Sequence, residues 1–189
     1  EMTSFVSPKA IPQLRDATEV VQKTLEKHGG SDVEFYALVP NIYGAKAAIA
    51  AGLHEVATVI SVSESHNKAN INRTVEESLE GLERMRQEFP DLIIELSMAT
   101  SFTCPFEGDT PVENVLRIIR RAWNLGIRRY CLADTIGQAD PSMVRRTISI
   151  VKAVFPEAIL DVHIHDTRNM GTASTLAAID AGVANVQAA

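Results

Sequence analysis

The segment Asp161-Val-His-Ile-His-Asp-Thr167 carries the residue types best suited to chemistry. In an extended strand, residues two apart project to the same face, so His163 and His165 stand side by side. Leu160, Val162 and Ile164 then face the other way, where they can pack against helices. Asp161 shares the imidazole face, at positions where a purely structural barrel strand would carry branched aliphatics. Two neighbouring neutral imidazoles can share one divalent ion. They can equally be satisfied by hydrogen bonds in a polar barrel mouth, and the spacing alone leaves both readings open.

Three further segments bear functional groups. In Cys131-Leu-Ala-Asp-Thr-Ile-Gly137, Asp134 falls at a strand end. A carboxylate there can orient a metal-bound water, act as acid or base, or hold a ligating histidine. The same residue, followed by Thr, also suits the start of a turn. In Thr103-Cys-Pro-Phe-Glu-Gly108, nothing beside Cys104 would lower its pKa, so it reads as a small buried apolar side chain and Glu107-Gly108 as a turn. The opening Glu1-Met-Thr-Ser-Phe-Val-Ser-Pro8 reads as a strand end leading into a loop. Glu1 falls on a barrel rim if a strand precedes it, and Ser4 and Ser7 supply hydroxyls nearby.

The elements that must position these groups alternate along the chain. Strands are expected at Val33–Val39, Glu55–Val62, Leu92–Met98, Arg129–Ala133, Ile159–His165 and Val183–Gln187, with helices at 16–28, 43–51, 75–88, 111–124, 141–154 and 171–181. Thr74-Val-Glu-Glu77 and Thr110-Pro-Val-Glu113 have the form of capping boxes, and Asp140-Pro141 that of an N-cap followed by Pro. Gly29, Gly52, Gly126 and Gly182 are placed to close helices in the left-handed conformation. Such alternation implies parallel strands joined by crossover helices. The absence of a Gly-rich turn after an early strand disfavours an open doubly wound sheet. Ser61, Ser63, Ser97, Asp134 and His165 at C-terminal strand ends favour a (β/α)8 TIM barrel, whose chemistry gathers at that rim. A complete barrel takes about 250 residues. Residues 1–189 therefore read as one catalytic barrel domain, expected to be truncated at both ends: it lacks its first strand, most of its second and the segment after its eighth.

Composition narrows the function classes. The formal charge of −6, with basic residues scattered, argues against nucleic-acid or anionic-membrane surfaces. No stretch approaches the roughly 20 apolar residues of a membrane span, and no signal-peptide pattern opens the chain. Cys104 and Cys131 form neither a CxxC pair nor a disulfide framework, so a reducing cytoplasm is expected.

Together, Glu1-Met-Thr-Ser-Phe-Val-Ser-Pro-Lys9, Pro40-Asn41, Asn70-Ile-Asn72, Cys104-Pro-Phe-Glu-Gly108, Asp134-Thr-Ile-Gly137 and His163-Ile-His-Asp-Thr167 resemble the 3-hydroxy-3-methylglutaryl-CoA lyase family, in that family's order and over essentially the whole chain. The His-x-His strand is shared with related condensing synthases, which usually continue it with Asn-Asp. The resemblance implies metal-assisted retro-Claisen cleavage of a 3-hydroxy-3-methylglutaryl thioester, or of a close 3-hydroxyacyl-CoA analogue, to acetyl-CoA and acetoacetate. A condensing synthase and a non-catalytic remnant are the alternatives. It implies His163 and His165 as metal ligands, Asp134 as an acidic residue near the reacting centre, and Glu1 as a rim glutamate supporting a catalytic arginine. The implied cofactor is a divalent metal ion, Mg²⁺ or Mn²⁺ in family context, with Zn²⁺ or Co²⁺ also suited to histidine. The implied partner is an acyl-CoA substrate, with a homo-oligomer left open and no substrate-binding residue assigned. The family's Arg-Asp pair and catalytic cysteine are expected outside residues 1–189, so these residues alone are expected to lack turnover.

Overall fold

A computed structural model describes residues 1–188. A 3-10 turn at Pro12–Leu14 precedes α1 (Ala17–His28), β1 (Ala37–Leu38), α2 (Ile42–Ala50), β2 (Glu55–Ser61), α3 (Glu64–Ile71), α4 (Val75–Glu88) and β3 (Ile93–Ala99). There follow a short hairpin of β4 (Thr103–Cys104) and β5 (Gly108–Asp109), then α5 (Val112–Asn124), β6 (Arg129–Asp134), α6 (Pro141–Val154), β7 (Ile159–Ile164), α7 (Gly171–Asp180) and β8 (Asn185–Gln187).

The chain divides into two compact units. The first holds Glu1–Val59 and Glu80–Glu95. In it β1 lies parallel to β2, with Ala37 opposite Val56 and Leu38 opposite Ala57. The opening segment runs alongside β1: Ser4 forms a parallel bridge with Leu38, the Leu38 N–H bonds the Thr3 carbonyl, and the Phe5 N–H bonds the Leu38 carbonyl. The strand expected from Val33 begins only at Ala37; Val33 stays 59% exposed, and the Tyr36 carbonyl accepts the Met2 N–H of the opening segment.

The second unit holds Ile60–Leu79 and the chain from Leu96 onward. Here the ends of β2 and β3 are followed by β6, β7 and β8, hydrogen-bonded in chain order. β6 and β7 are parallel from Arg129 opposite Ile159 through Asp134 opposite Ile164, and β7 and β8 are parallel from Asp161 opposite Asn185 to His163 opposite Gln187. Within this unit the strand order never reverses, so it holds no switch point of the doubly wound kind. Leu132, Leu160 and Val162 are wholly buried, and α5 buries Val115, Ile118, Ile119 and Ala122, the one-sided spacing of an amphipathic helix.

Several local signals behave as the sequence predicts. Thr74 and Glu77 reciprocate, each side chain accepting the other's backbone N–H at 3.1 and 2.7 Å. Asp140 caps α6 by accepting from Ser142 and Met143. Gly52, Gly126 and Gly182 adopt positive φ after helix ends.

Others do not. Gly29 closes α1 with φ −63°, an ordinary right-handed value, because the Gly29 N–H bonds the Leu25 carbonyl as one more helical turn. The box expected at Thr110 does not form, since its hydroxyl donates to the Thr100 carbonyl at 2.8 Å and leaves α5 with no side-chain cap. The helix α3 was not expected: it has almost no amphipathic pattern and rests on the Ser63 cap and the left-handed Asn72. His165 lies just beyond β7 rather than in it.

Candidate functional site

β7 delivers the imidazoles. Asp161 and His163 share a face with their ladder neighbours, so successive layers read Cys131, Asp161, Asn185 and then Ala133, His163, Gln187. The buried Asp161 carboxylate is satisfied by the Asn185 amide at 2.8 Å. Ala133 leaves space on the β6 side of His163. His165, one step past the strand, turns its ring edge-on to His163, with centroids 4.9 Å apart and planes at 72°. Their Nε2 atoms face each other at 3.0 Å.

A carbonyl fixes the proton on one ring. His165 Nδ1 stands 2.9 Å from the Thr135 carbonyl oxygen, which can only accept, so Nδ1 carries the hydrogen. In the neutral ring Nε2 is then a bare lone pair aimed at His163, the state a metal ligand requires. His163 supplies the Nε2–H that closes the pair. Burial, reinforced by neighbouring His165, lowers the His163 pKa and favours its neutral form. A groove of about 630 Å³ bordered by Ile164, His165, Asp166, Leu176, Ile179 and Val186 opens beside the pair, so His165 is reachable from solvent.

Asp134 is fully buried, and both its oxygens are committed to backbone: one accepts from Gln138 at 3.2 Å, the other from Ala139 at 3.0 Å. These two bonds hold the turn after β6. Among the described residues no three His, Cys, Asp or Glu side chains converge as a ready metal cage. Glu1 is an exposed residue of the first unit. Cys104 is buried as expected, with its thiol 2.9 Å from the Ser63 hydroxyl.

The residues that hold this arrangement were not singled out from sequence. Thr100, after β3, has φ +55°, unusual for a β-branched residue and costing on the order of 1–3 kcal/mol. Its polar groups are all engaged. The N–H bonds the Thr135 hydroxyl at 2.7 Å, the carbonyl accepts from Thr110, and the hydroxyl bonds the Ala99 carbonyl and accepts from Ser63 N–H. Asn67 likewise ties α3 to its surroundings, accepting from Ser61 N–H and donating to Arg73, Thr74 and Ser78. His66 bonds the Ser61 hydroxyl at 2.8 Å, and burial lowers its pKa. The Asn67 and His66 contacts join groups that sequence spacing places close together, whereas nothing in the letters around Thr100 announces a left-handed backbone.

The chain is similar to hydroxymethylglutaryl-CoA lyase YngG of Bacillus subtilis, at 38% identity over 97% of this chain and 61% of that protein. It is 35% identical to the human mitochondrial hydroxymethylglutaryl-CoA lyase over 98% of this chain and 57% of the relative. Among solved structures, an HMG-CoA lyase from Acinetobacter baumannii, in complex with coenzyme A and 3-methylmalate, matches with TM-score 0.90 and 37% identity over 98% of this chain and 61% of that one. The Brucella melitensis HMG-CoA lyase gives TM-score 0.91 at 34% identity, over 98% of this chain and 65% of that one. The chain spans about three fifths of the length of the curated relatives it matches. The (β/α)8-barrel class expected from the strand ends stands with these likenesses. With the HMGL-like model matched across residues 7–189, the chain belongs to the HMGL-like family.

Proposed function

We propose that these residues form the metal-holding part of an acyl-CoA lyase that cleaves 3-hydroxy-3-methylglutaryl-CoA, or a close analogue, to acetyl-CoA and acetoacetate. The observation that carries the proposal is the pair of imidazole nitrogens 3.0 Å apart with His165 held in the ligand tautomer. Neutral imidazoles would suit a divalent ion, Mg²⁺ or Mn²⁺ in the context of this family and Zn²⁺ or Co²⁺ by ligand type alone.

When bound, such an ion supplies Lewis acidity to the substrate's hydroxyl and carbonyl oxygens. His163 and His165 would hold it. His163 meets this role by moving its ring hydrogen from Nε2 to Nδ1, while His165 needs no change. Asp134 is proposed as the acidic group of the reaction. Its two backbone bonds fix the carboxylate at the C-terminal end of β6, the rim at which barrel chemistry gathers. Glu1 is proposed as the rim carboxylate that supports a substrate-binding arginine. No helix of the described residues is long and apolar enough to cross a membrane. The cytoplasm is the compartment we propose, where its two free cysteines would stay reduced.

The test uses the full-length protein with 3-hydroxy-3-methylglutaryl-CoA and Mg²⁺ or Mn²⁺. Metal-dependent release of acetoacetate supports the lyase. Thiol release from acetyl-CoA with a 2-oxo acid, without acetoacetate formation, would replace it by a condensing synthase.

A further inference from the structure

We propose that Thr135 and the left-handed Thr100 are positioning residues that set the tautomer and direction of His165. The proposal deepens the metal-site reading above but stands on contacts within the second unit alone. Thr135 is the hinge of the arrangement: its carbonyl takes the His165 Nδ1–H at 2.9 Å, and its hydroxyl takes the Thr100 N–H at 2.7 Å. A backbone carbonyl at the start of a turn can swing with its peptide plane. Here the hydroxyl of the same residue anchors it to the end of β3.

The left-handed turn at Thr100 is what makes that anchor available. The neighbouring groups remain in ladder-like pairs, with the Ala99 carbonyl accepting from Val62 and the Ser101 N–H donating to the Ala133 carbonyl at 3.1 Å. Between them the Thr100 N–H is turned out of the pairing toward Thr135, and the Thr100 carbonyl toward the Thr110 hydroxyl. A β-branched residue keeps positive φ only where its surroundings over-determine it, and Thr100 is held at its N–H, carbonyl and hydroxyl. The strained backbone thus serves to point one donor at Thr135. Ordered metal-site histidines generally depend on such an outer partner for ring orientation and tautomer.

The test uses the full-length protein with ¹⁵N-labelled histidine, metal-free, at a pH well above the imidazole range. Long-range ¹⁵N–¹H correlation reads which ring nitrogen carries hydrogen, and the His165 signals are assigned by their loss in His165→Gln. Wild type and Thr135→Ser are expected to show His165 as the single Nδ1–H form. Thr135→Val, which keeps the shape and removes the hydroxyl, is expected to show a mixture of tautomers and a roughly tenfold weaker Mn²⁺ affinity. Thr135→Ala removes the same hydroxyl without a β-branch, and is expected to split the His165 signals in the same way; it decides the matter if Thr135→Val does not fold. An unchanged single tautomer in the folded variants would overturn the proposal. Should wild type fail to bind Mn²⁺ while the tautomer still responds, the metal-site reading falls and the positioning role remains.

Discussion

At the scale of single residues, the histidine pair and Asp134 separate into different kinds of group. The Thr135 carbonyl sets the tautomer of His165, whereas burial lowers the pKa of His163 and favours its neutral form. Removing either imidazole deletes one of two donors. His163→Ala and His165→Ala are therefore expected to lower Mn²⁺ affinity well beyond tenfold in calorimetric titration, and to depress turnover of the full-length enzyme even at saturating substrate. Wild-type affinity in both variants would make the pair structural. Asp134 carries a second burden, because its oxygens hold the N–H groups of Gln138 and Ala139. Asp134→Ala is expected to destabilise the fold by about 1–3 kcal/mol in denaturant titration, as buried donors lose their partner. In the full-length enzyme it should reduce turnover more than Mn²⁺ affinity. The His-x-His spacing was legible in the sequence because alternation on a strand is a local rule. The Thr100 conformation was not, because a positive φ at threonine arises from partners distant along the chain.

At the scale of elements, caps and close approaches decide where the site-bearing strands end. Asp140 accepts from Ser142 and Met143 at the start of α6, the helix between the two strands that carry Asp134 and His163. Asp140→Ala is expected to cost about 1 kcal/mol in thermal or chemical unfolding. Hydrogen bonds from the Ser142 side chain and from backbone N–H groups hold the Asp140 carboxyl below its usual pKa. A depressed folded-state pKa contributes stability above the unfolded carboxylate value and loses it as the pH falls through the folded one. The difference between wild type and Asp140→Ala should therefore shrink in acid. Gly137 is a sharper case: it has φ +62°, and an added Cβ would meet the Thr167 hydroxyl and, at 2.7 Å, the Thr167 backbone nitrogen. Gly137→Ala is expected to cost more than the roughly 1–2 kcal/mol of the conformation alone. It should also shift the His165 resonances, since Thr167 lies two residues past that ring. Unmoved resonances would show that the segment yields without disturbing the site.

At the scale of the whole molecule, protection should follow the ladders. β6 and β7 share a continuous parallel register with buried Leu132, Leu160 and Val162, whereas β1 spans only Ala37–Leu38. Native-state hydrogen exchange is expected to find the β6 and β7 amides among the slowest and those around Ala37 much faster. The reverse order would mean that the second unit is not the more stable body. Leu160→Ala, at a fully buried position, is expected to lower stability by about 2–5 kcal/mol. By itself the sequence determined the alternation of elements, the barrel class, the Thr74 and Asp140 caps and the side-by-side histidines. Each of these follows from periodicity or from contacts a few residues long. Only the tertiary structure decided that β1 would be short, that Thr110 would abandon its helix for the Thr100 carbonyl, and that Asp134 would spend both oxygens on its own turn. It alone placed the Thr135 carbonyl behind His165. The physical reason is that each of these outcomes depends on hydrogen-bond partners, or on their absence, set by strand register, and register joins segments that lie far apart in the chain.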